Sequence, residues 1–437
     1  MLSLKKVFFR WLSLLCLFLY IFPFQLKVLP LPNARILQIL GFICLFVYVL
    51  CNKRMHKAVL KYVILGCCIC FIGVISVVIN ETDQLNFALA KGLYMVLYLC
   101  SSFFVVYLMR NAYSLFTPVQ AFESLIWVTV AQAMISLLFF CFPNILELYN
   151  SIVLLDDDAI QKAEALNAFR LNSVGSVKYA NAAVHYGIAL WLLLLLYLNR
   201  YSRFYHSATA LYVLGPLFCL CGILSARTFF IILLITILYI IYLVGCRRIY
   251  LIFSILLRLF VPMLILGICV IIYMIAHNLD FIIEWVLELF INMADSGTME
   301  SASTNELKEM YVLPQTIKTW IIGDGMSTNA TGGFYMDSDV GYIRSLYYWG
   351  ILGSIVYYLA HYKYASILKK IYRDIKVRRF VNVLLIWFFI YNMKEFWAAE
   401  PYWMFLLCVA LFSQQSYVCY NGNNRFLLTA IPPDRAQ

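Results

Sequence analysis

Stretches of about 20 largely apolar residues, enough to cross about 30 Å of hydrocarbon as a helix, recur along almost the whole of this 437-residue chain. Their apolar character does not alternate. Leu190–Leu198, for example, is apolar on every face. A membrane β-barrel needs alternation, whereas a helix pairs its own backbone groups inside the bilayer. The spanning form is therefore the helix. Composition agrees: 64% of the residues are hydrophobic and 13% charged, against about 25% charged in a soluble domain. Too little polar surface remains to cover a soluble fold. The chain reads as all-α, a polytopic integral membrane protein with a single transmembrane domain over 1–437.

Twelve spans can be marked, at about 7–24, 35–51, 59–79, 87–109, 119–142, 180–198, 208–224, 228–246, 255–276, 341–361, 380–397 and 402–419. The first apolar run follows Lys5, Lys6 and Arg10 and has no small-residue cleavage site, so it reads as a retained helix. Placing the N-terminus in the cytoplasm assigns the loops alternately. Lys53, Arg54, Lys57, Lys61, Arg110, Arg200, Arg203, Arg247 and Arg248 then face inward, with seven more from Lys363 to Arg379. Adding the termini, twenty-one of the 33 basic residues fall on the cytoplasmic side, and of the acids only Asp374 and Asp434. The positive-inside rule supports this topology, with both termini cytoplasmic. The net charge of +11 is thus a topology signal, and nucleic acid is not an expected partner.

Two outer loops exceed the usual short connection. One, about 143–179, carries Asp156, Asp157, Asp158, Arg170 and Lys178. The other, about 277–340, is the largest water-exposed segment. Asp280, Glu284 and Glu288 recur every four residues among Ile283, Trp285, Val286 and Leu289, the pattern of an amphipathic helix lying on the outer surface. Ser303-Thr304-Asn305-Glu306 has the form of a capping box. It opens a helix with Leu307, Met310, Tyr311 and Ile317 as apolar positions, which Pro314 kinks or divides. Gly323-Asp324-Gly325 is a turn.

Charges at span ends need a reason, because burying one in a bilayer costs roughly 2.5–3.5 kcal/mol on insertion scales. Arg227, in Leu224-Ser225-Ala226-Arg227-Thr228, is either a snorkelling interfacial arginine or a donor fork for a phosphate. Asp339 is either the N-cap of the span that follows or a carboxylate held near a cation, able to take a proton from a hydroxyl. Arg344 lies one turn below Gly341 on nearly the same face. Lys394 and Glu395 are adjacent charges near the outer end of the eleventh span. Glu123, His185 and Arg258 are weaker candidates, and a lone histidine such as His185 reads as a packing residue. The fourteen cysteines, Cys67, Cys68, Cys70, Cys219 and Cys221 among them, lack metal-ligand neighbours and read as small apolar packing groups. Asp156–Asp158 and Asp337-Ser338-Asp339 could attract a divalent ion, but no metal site and no cofactor are expected.

The passage Gly323-Asp324-Gly325, then Asp337-Ser338-Asp339-Val340-Gly341-Tyr342-Ile343-Arg344, then Gly350-Ile351-Leu352-Gly353 resembles the large-loop-to-span region of Wzy-type O-antigen and capsule polymerases. Leu224–Thr228 resembles the Ser-x-Arg-Thr turn of that polymerase and ligase superfamily, and Asn392–Glu395 its late-helix Lys-Glu element. The resemblance implies a GT-C-like, metal-independent membrane glycosyltransferase of the bacterial inner membrane. Such an enzyme joins undecaprenyl-pyrophosphate-linked oligosaccharide repeats on the periplasmic face, in O-antigen or other polysaccharide biosynthesis. It also implies a flippase and a chain-length regulator as pathway partners. Arg227, Arg344 and then Arg170 would hold the leaving pyrophosphate, with Lys394 and Tyr342 beside them, and Asp339 or else Glu395 would accept the hydroxyl proton. Two departures stand out. The second loop has only Lys308 and Lys318 as cations before Arg344, and no histidine lies between His277 and His361, where the related O-antigen ligases carry one. That absence favours a polymerase over the alternatives, a ligase or a flippase of lipid-linked oligosaccharide.

Overall fold

The computed structural model describes residues 4–52, 56–154, 170–175, 179–199, 208–276, 280–297, 302–330, 332–397, 399–413, 417–421 and 424–428. Lys53, Arg54, Asp156–Asp158, Lys178, Arg200, Arg203, Asp434 and Arg435 lie outside the described residues. The fold is helical. In chain order the helices are α1 (Leu4–Ile21), α2 (Asn33–Asn52), α3 (Lys57–Asn80), α4 (Leu85–Ala112), α5 (Pro118–Cys141), α6 (Pro143–Ile152), α7 (Tyr179–Asn199), α8 (Ala208–Ser225) and α9 (Phe229–Val244). They continue as α10 (Ile249–Ala276), α11 (Asp280–Ser296), α12 (Ala302–Glu309), α13 (Ile317–Ile322), α14 (Gly341–Ile371), α15 (Ile375–Tyr391) and α16 (Glu400–Phe412). Each of the twelve segments marked from hydropathy overlaps a helix. Six helical segments among the described residues are long and apolar enough to cross a membrane: 33–51, 57–80, 85–112, 118–141, 179–199 and 246–276.

Burial is distributed as a lipid solvent requires. α7 is the most enclosed of the six, packed against α5, α8, α9 and α15. Leu190 and Leu192–Leu196 are fully buried, and Trp191 donates from Nε1 to Thr236 Oγ1 at 2.9 Å. α10 is the reverse, apolar over its length yet the least enclosed of the six, with Ile265, Ile268 and Ile272 all facing outward and only a few residues such as Ile255 and Leu259 buried. A face of that size cannot be left to water. Cys67 and Cys68 are exposed on α3, whereas Cys219 and Cys221 are buried as expected.

Two expectations about the element ends need correction, and one element is new. The last span, expected to reach 419, ends at Phe412, and Tyr417–Asn421 pairs antiparallel with Asn424–Leu428. α15 ends at Tyr391, so Lys394 and Glu395 stand in the turn beyond it, with both backbone N–H groups donating to Tyr391 O. The first long loop opens with a short helix, α6, started by Pro143 at a position where its missing N–H costs nothing. Leu26 and Val153 form a β-bridge that ties the end of α6 to the α1–α2 connection.

The second long loop is built into the bundle. α11 and α12 form where the patterns placed them, although α12 begins at Ala302, one residue before Ser303. Pro314 separates α12 from α13. The turn after α13 meets a break in α14. Gly350 sits at φ +65°, ψ −173°, a region open in practice to glycine alone. A methyl group added there would lie 2.3 Å from the Ile321 carbonyl, and one added at Gly323 would lie 2.6 Å from Gly350 N. The loop backbone therefore crosses the broken helix at direct contact. Polar side chains of α3 and the α3–α4 connection hold it there. Ser76 Oγ donates to Tyr348 O at 2.6 Å, Asn80 Nδ2 to Gly323 O at 2.9 Å, and Gln84 Nε2 to Thr328 O at 2.8 Å.

Candidate functional site

Five segments bring charged groups to one end of the bundle. Arg170 is delivered by the chain entering α7, where Leu171 N donates to Leu224 O at 3.0 Å and so pins it beside the α8–α9 turn. That turn carries Arg227 and Thr228. Gly222 lets it close, since a side chain there would strike the Phe229 ring at 2.2 Å. The start of α14 supplies Asp339 and Arg344. The turn after α15 supplies Lys394 and Glu395. Glycine also allows these last two to meet: a methyl on Gly341 would lie 2.5 Å from Asn392 Oδ1, and Tyr342 N donates to Asn392 O at 3.2 Å. The large loop completes the group. Glu288 of α11 pairs with Arg227, and Tyr311, following α12, donates from its hydroxyl to Met393 O.

The charges act on one another. Lys394 lies within electrostatic reach of Glu395, Arg170, Arg227 and Asp339, and Arg344 within reach of Asp339 and Glu395. Burial pushes the Arg170 pKa below its ordinary value, and the like charge of Arg227 pushes it further, while Tyr179, Glu306 and Glu395 oppose both. Cations and carboxylates are thus interleaved in a partly buried site, where each sets the other's charge state. Lys394 Nζ also reaches Thr228 Oγ1 at 3.5 Å, linking the α8–α9 turn to the turn after α15.

Arg344 is held by rings. Its guanidinium carbon lies 3.9 Å from the Phe334 ring centroid, 5.7 Å from Phe87 and 5.8 Å from Phe396. Its Nε is buried and has no hydrogen-bond partner among the described residues. Stacking fixes a guanidinium plane without using its N–H donors, so a bidentate fork stands ready for an oxyanion.

The remaining candidates sort themselves on the same geometry. Arg227 is only 11% exposed and ion-paired, which removes the snorkelling reading. Its partner Glu288 turns inward, although the sequence pattern assigned it to the water-facing stripe of α11. Asp339 is not the N-cap of α14. Val340 occupies that position, without a side-chain cap. The Asp339 carboxylate makes no hydrogen bond among the described residues, whereas Glu395 Oε2 accepts from the Tyr391 hydroxyl at 2.8 Å. Tyr342 OH is spent on Phe389 O at 2.9 Å and clamps α14 to α15. His185 meets the Tyr402 hydroxyl and Arg258 the Tyr197 hydroxyl, both structural roles. Glu123 is half-buried on α5, away from these segments in the chain.

One group escaped the sequence reading. Lys91 lies within α4, with Nζ 4.1 Å from the Phe396 centroid and 5.6 Å from Phe87, so it shares two of its rings with Arg344. Its counter-charge is Glu400 at the start of α16, which is 2% exposed. Glu400 Oε1 lies 3.8 Å from His361 Nε2 and 3.5 Å from the Tyr357 hydroxyl. A lysine inside an apolar run was the available signal, but the sequence gave no partner for it until the fold brought Glu400 near. Among the described residues no three His, Cys, Asp or Glu side chains group as metal ligands.

No protein-family model matches the chain, nor does any curated protein or solved structure.

Proposed function

We propose that the chain is a membrane glycosyltransferase that polymerises undecaprenyl-pyrophosphate-linked oligosaccharide repeats, with its twelve helical segments all crossing the bilayer and the charged end facing the periplasm. The observation that carries this reading is the gathering of Arg170, Arg227, Arg344 and Lys394 around Asp339 and Glu395 at the ends of apolar helices. A lipid diphosphate carries an anionic head on an apolar tail, and it needs cations in that setting. The motif resemblance to Wzy-type polymerases points the same way.

In this mechanism an acceptor sugar hydroxyl attacks the anomeric carbon of the growing glycan. The carbon–oxygen bond to the pyrophosphate breaks as the new glycosidic bond forms. The lipid pyrophosphate departs with its charge held by Arg344 and Arg227, and preorganised cations of this kind commonly supply the largest catalytic contribution. Asp339, whose carboxylate makes no hydrogen bond among the described residues, takes the hydroxyl proton, while Glu395 balances the surrounding cations. Substituting Arg227→Ala or Asp339→Ala should abolish chain extension while protein levels stay normal. The direct test is extension of purified lipid-linked repeats by the purified protein. Deleting the gene should leave core lipid capped by one repeat unit. Long glycan persisting after deletion, or normal polymer from both variants, would refute the reading. Loss of the single repeat as well would point to a ligase or a flippase.

A further inference from the structure

α4 is 28 residues long and so spans about 40 Å. Gln84, just before its first turn, binds the large loop at the charged end, and Arg110 stands in its last turn at the opposite end. Beside Arg110 is a cavity of about 450 Å³. Its floor is apolar and enclosed, made by Leu99, Phe103 and Cys408, and Leu45 of α2 forms part of a half-buried wall. Its rim is polar, with Arg110, His56 and Ser114 exposed, and none of its lining residues is acidic.

Further cations converge on that rim. Lys6 Nζ donates to Ser114 Oγ at 3.3 Å, and the Arg10 guanidinium carbon lies 5.8 Å from the Tyr113 ring centroid. Arg110 itself makes no hydrogen bond or ion pair among the described residues, so its planar donor fork is unspent. The outer face of α2 alongside exposes Phe42, Phe46 and Leu50, which leaves the approach from the hydrocarbon side apolar. An apolar slot beneath a basic mouth free of acidic side chains, at a helix end, has the polarity of an amphiphile with a negative head.

We propose that this cavity is a binding site for one anionic phospholipid, its phosphate on Arg110 with Lys6 and Arg10 nearby, and an acyl chain over Leu99 and Phe103. The site stands apart from the charged end of the bundle and is independent of the glycosyltransferase reading. Native mass spectrometry of the full-length protein, released from micelles carrying phosphatidylglycerol or phosphatidylcholine of identical chains, tests it. Phosphatidylglycerol should be retained about tenfold more strongly, as charge-assisted arginine–phosphate contacts lead one to expect. Arg110→Gln should remove that preference, Arg110→Lys should keep most of it, and Lys369→Gln, at the end of α14 and outside the cavity, should leave it unchanged. Leu45→Trp should lower retention of both lipids, and glycerol phosphate, which has no chains, should not compete. Equal retention of the two lipids by the unaltered protein overturns the proposal without recourse to any variant. So does a preference that survives Arg110→Gln, that falls equally with Lys369→Gln, or that chainless glycerol phosphate abolishes.

Discussion

Replacing Gly350 with alanine tests the crossing between the large loop and α14. The residue holds φ +65°, ψ −173°, and keeping a side chain in that region costs about 1–3 kcal/mol. The added methyl would also meet the Ile321 carbonyl at 2.3 Å. That atom belongs to backbone, cannot rotate away, and makes overpacking cost about 1–3 kcal/mol more. Together the penalty is about 2–6 kcal/mol. Gly267→Ala is the matched control: it lies inside α10 with nothing within 4 Å of the new methyl, and helix propensity favours alanine there by about 1 kcal/mol. Thermal unfolding of the purified protein in detergent, followed by tryptophan fluorescence, should show Gly350→Ala melting well below both the unaltered protein and Gly267→Ala. If Gly350→Ala melts with them, the loop backbone does not cross α14 as described and the account of the Gly323–Gly325 turn fails.

Two further outcomes follow from the charged end. Gly341→Ala pushes α14 off the end of α15 through Asn392 at 2.5 Å, so on the proposed reading in vitro chain extension should fall by about tenfold or more, as small misplacements of catalytic groups do, while the melting temperature falls less than in Gly350→Ala, which adds backbone strain to its overlap. Arg344→Lys keeps a charge but loses the ring-stacked fork. Extension should therefore drop nearly as far as in Arg344→Ala, and full activity in the lysine variant would show that a point charge suffices.

The helices were legible because lipid imposes one simple rule, a run of apolar residues long enough to cross. The rule says nothing about which runs touch. The enclosure of α7 and the exposure of α10 came from packing alone, and so did the meeting of Lys91 with Glu400. Helix ends were read less well for a local reason. Apolarity continues through Met393, Trp397 and Val418 after the helices have stopped, so hydropathy overran α15 and α16. At the charged end the residue types were readable, since the positive-inside rule makes arginines at outer span ends uncommon enough to stand out. Their division of labour was not, because it depends on neighbours far away in the chain. Glu288 had the spacing of a solvent-facing residue until Arg227 was seen to lie beneath it, and Tyr342 had the chemistry of a ligand contact until its hydroxyl was seen to hold Phe389.

The contacts from Ser76, Asn80 and Gln84 to the backbone of residues 322–328 bear on how such a protein can be dissected or recombined. Their donors and acceptors are satisfied by main-chain atoms of a segment almost 250 positions later in the chain. Excising the loop, or exchanging it with that of a homologue, would take a partner from each of these side chains, at about 1 kcal/mol per hydrogen bond, although Ser76 would keep Tyr348 O and Asn80 would keep Ser76 O. Chimeras that exchange this loop should therefore be cut so that residues 76–84 travel with 317–350 as one heritable unit.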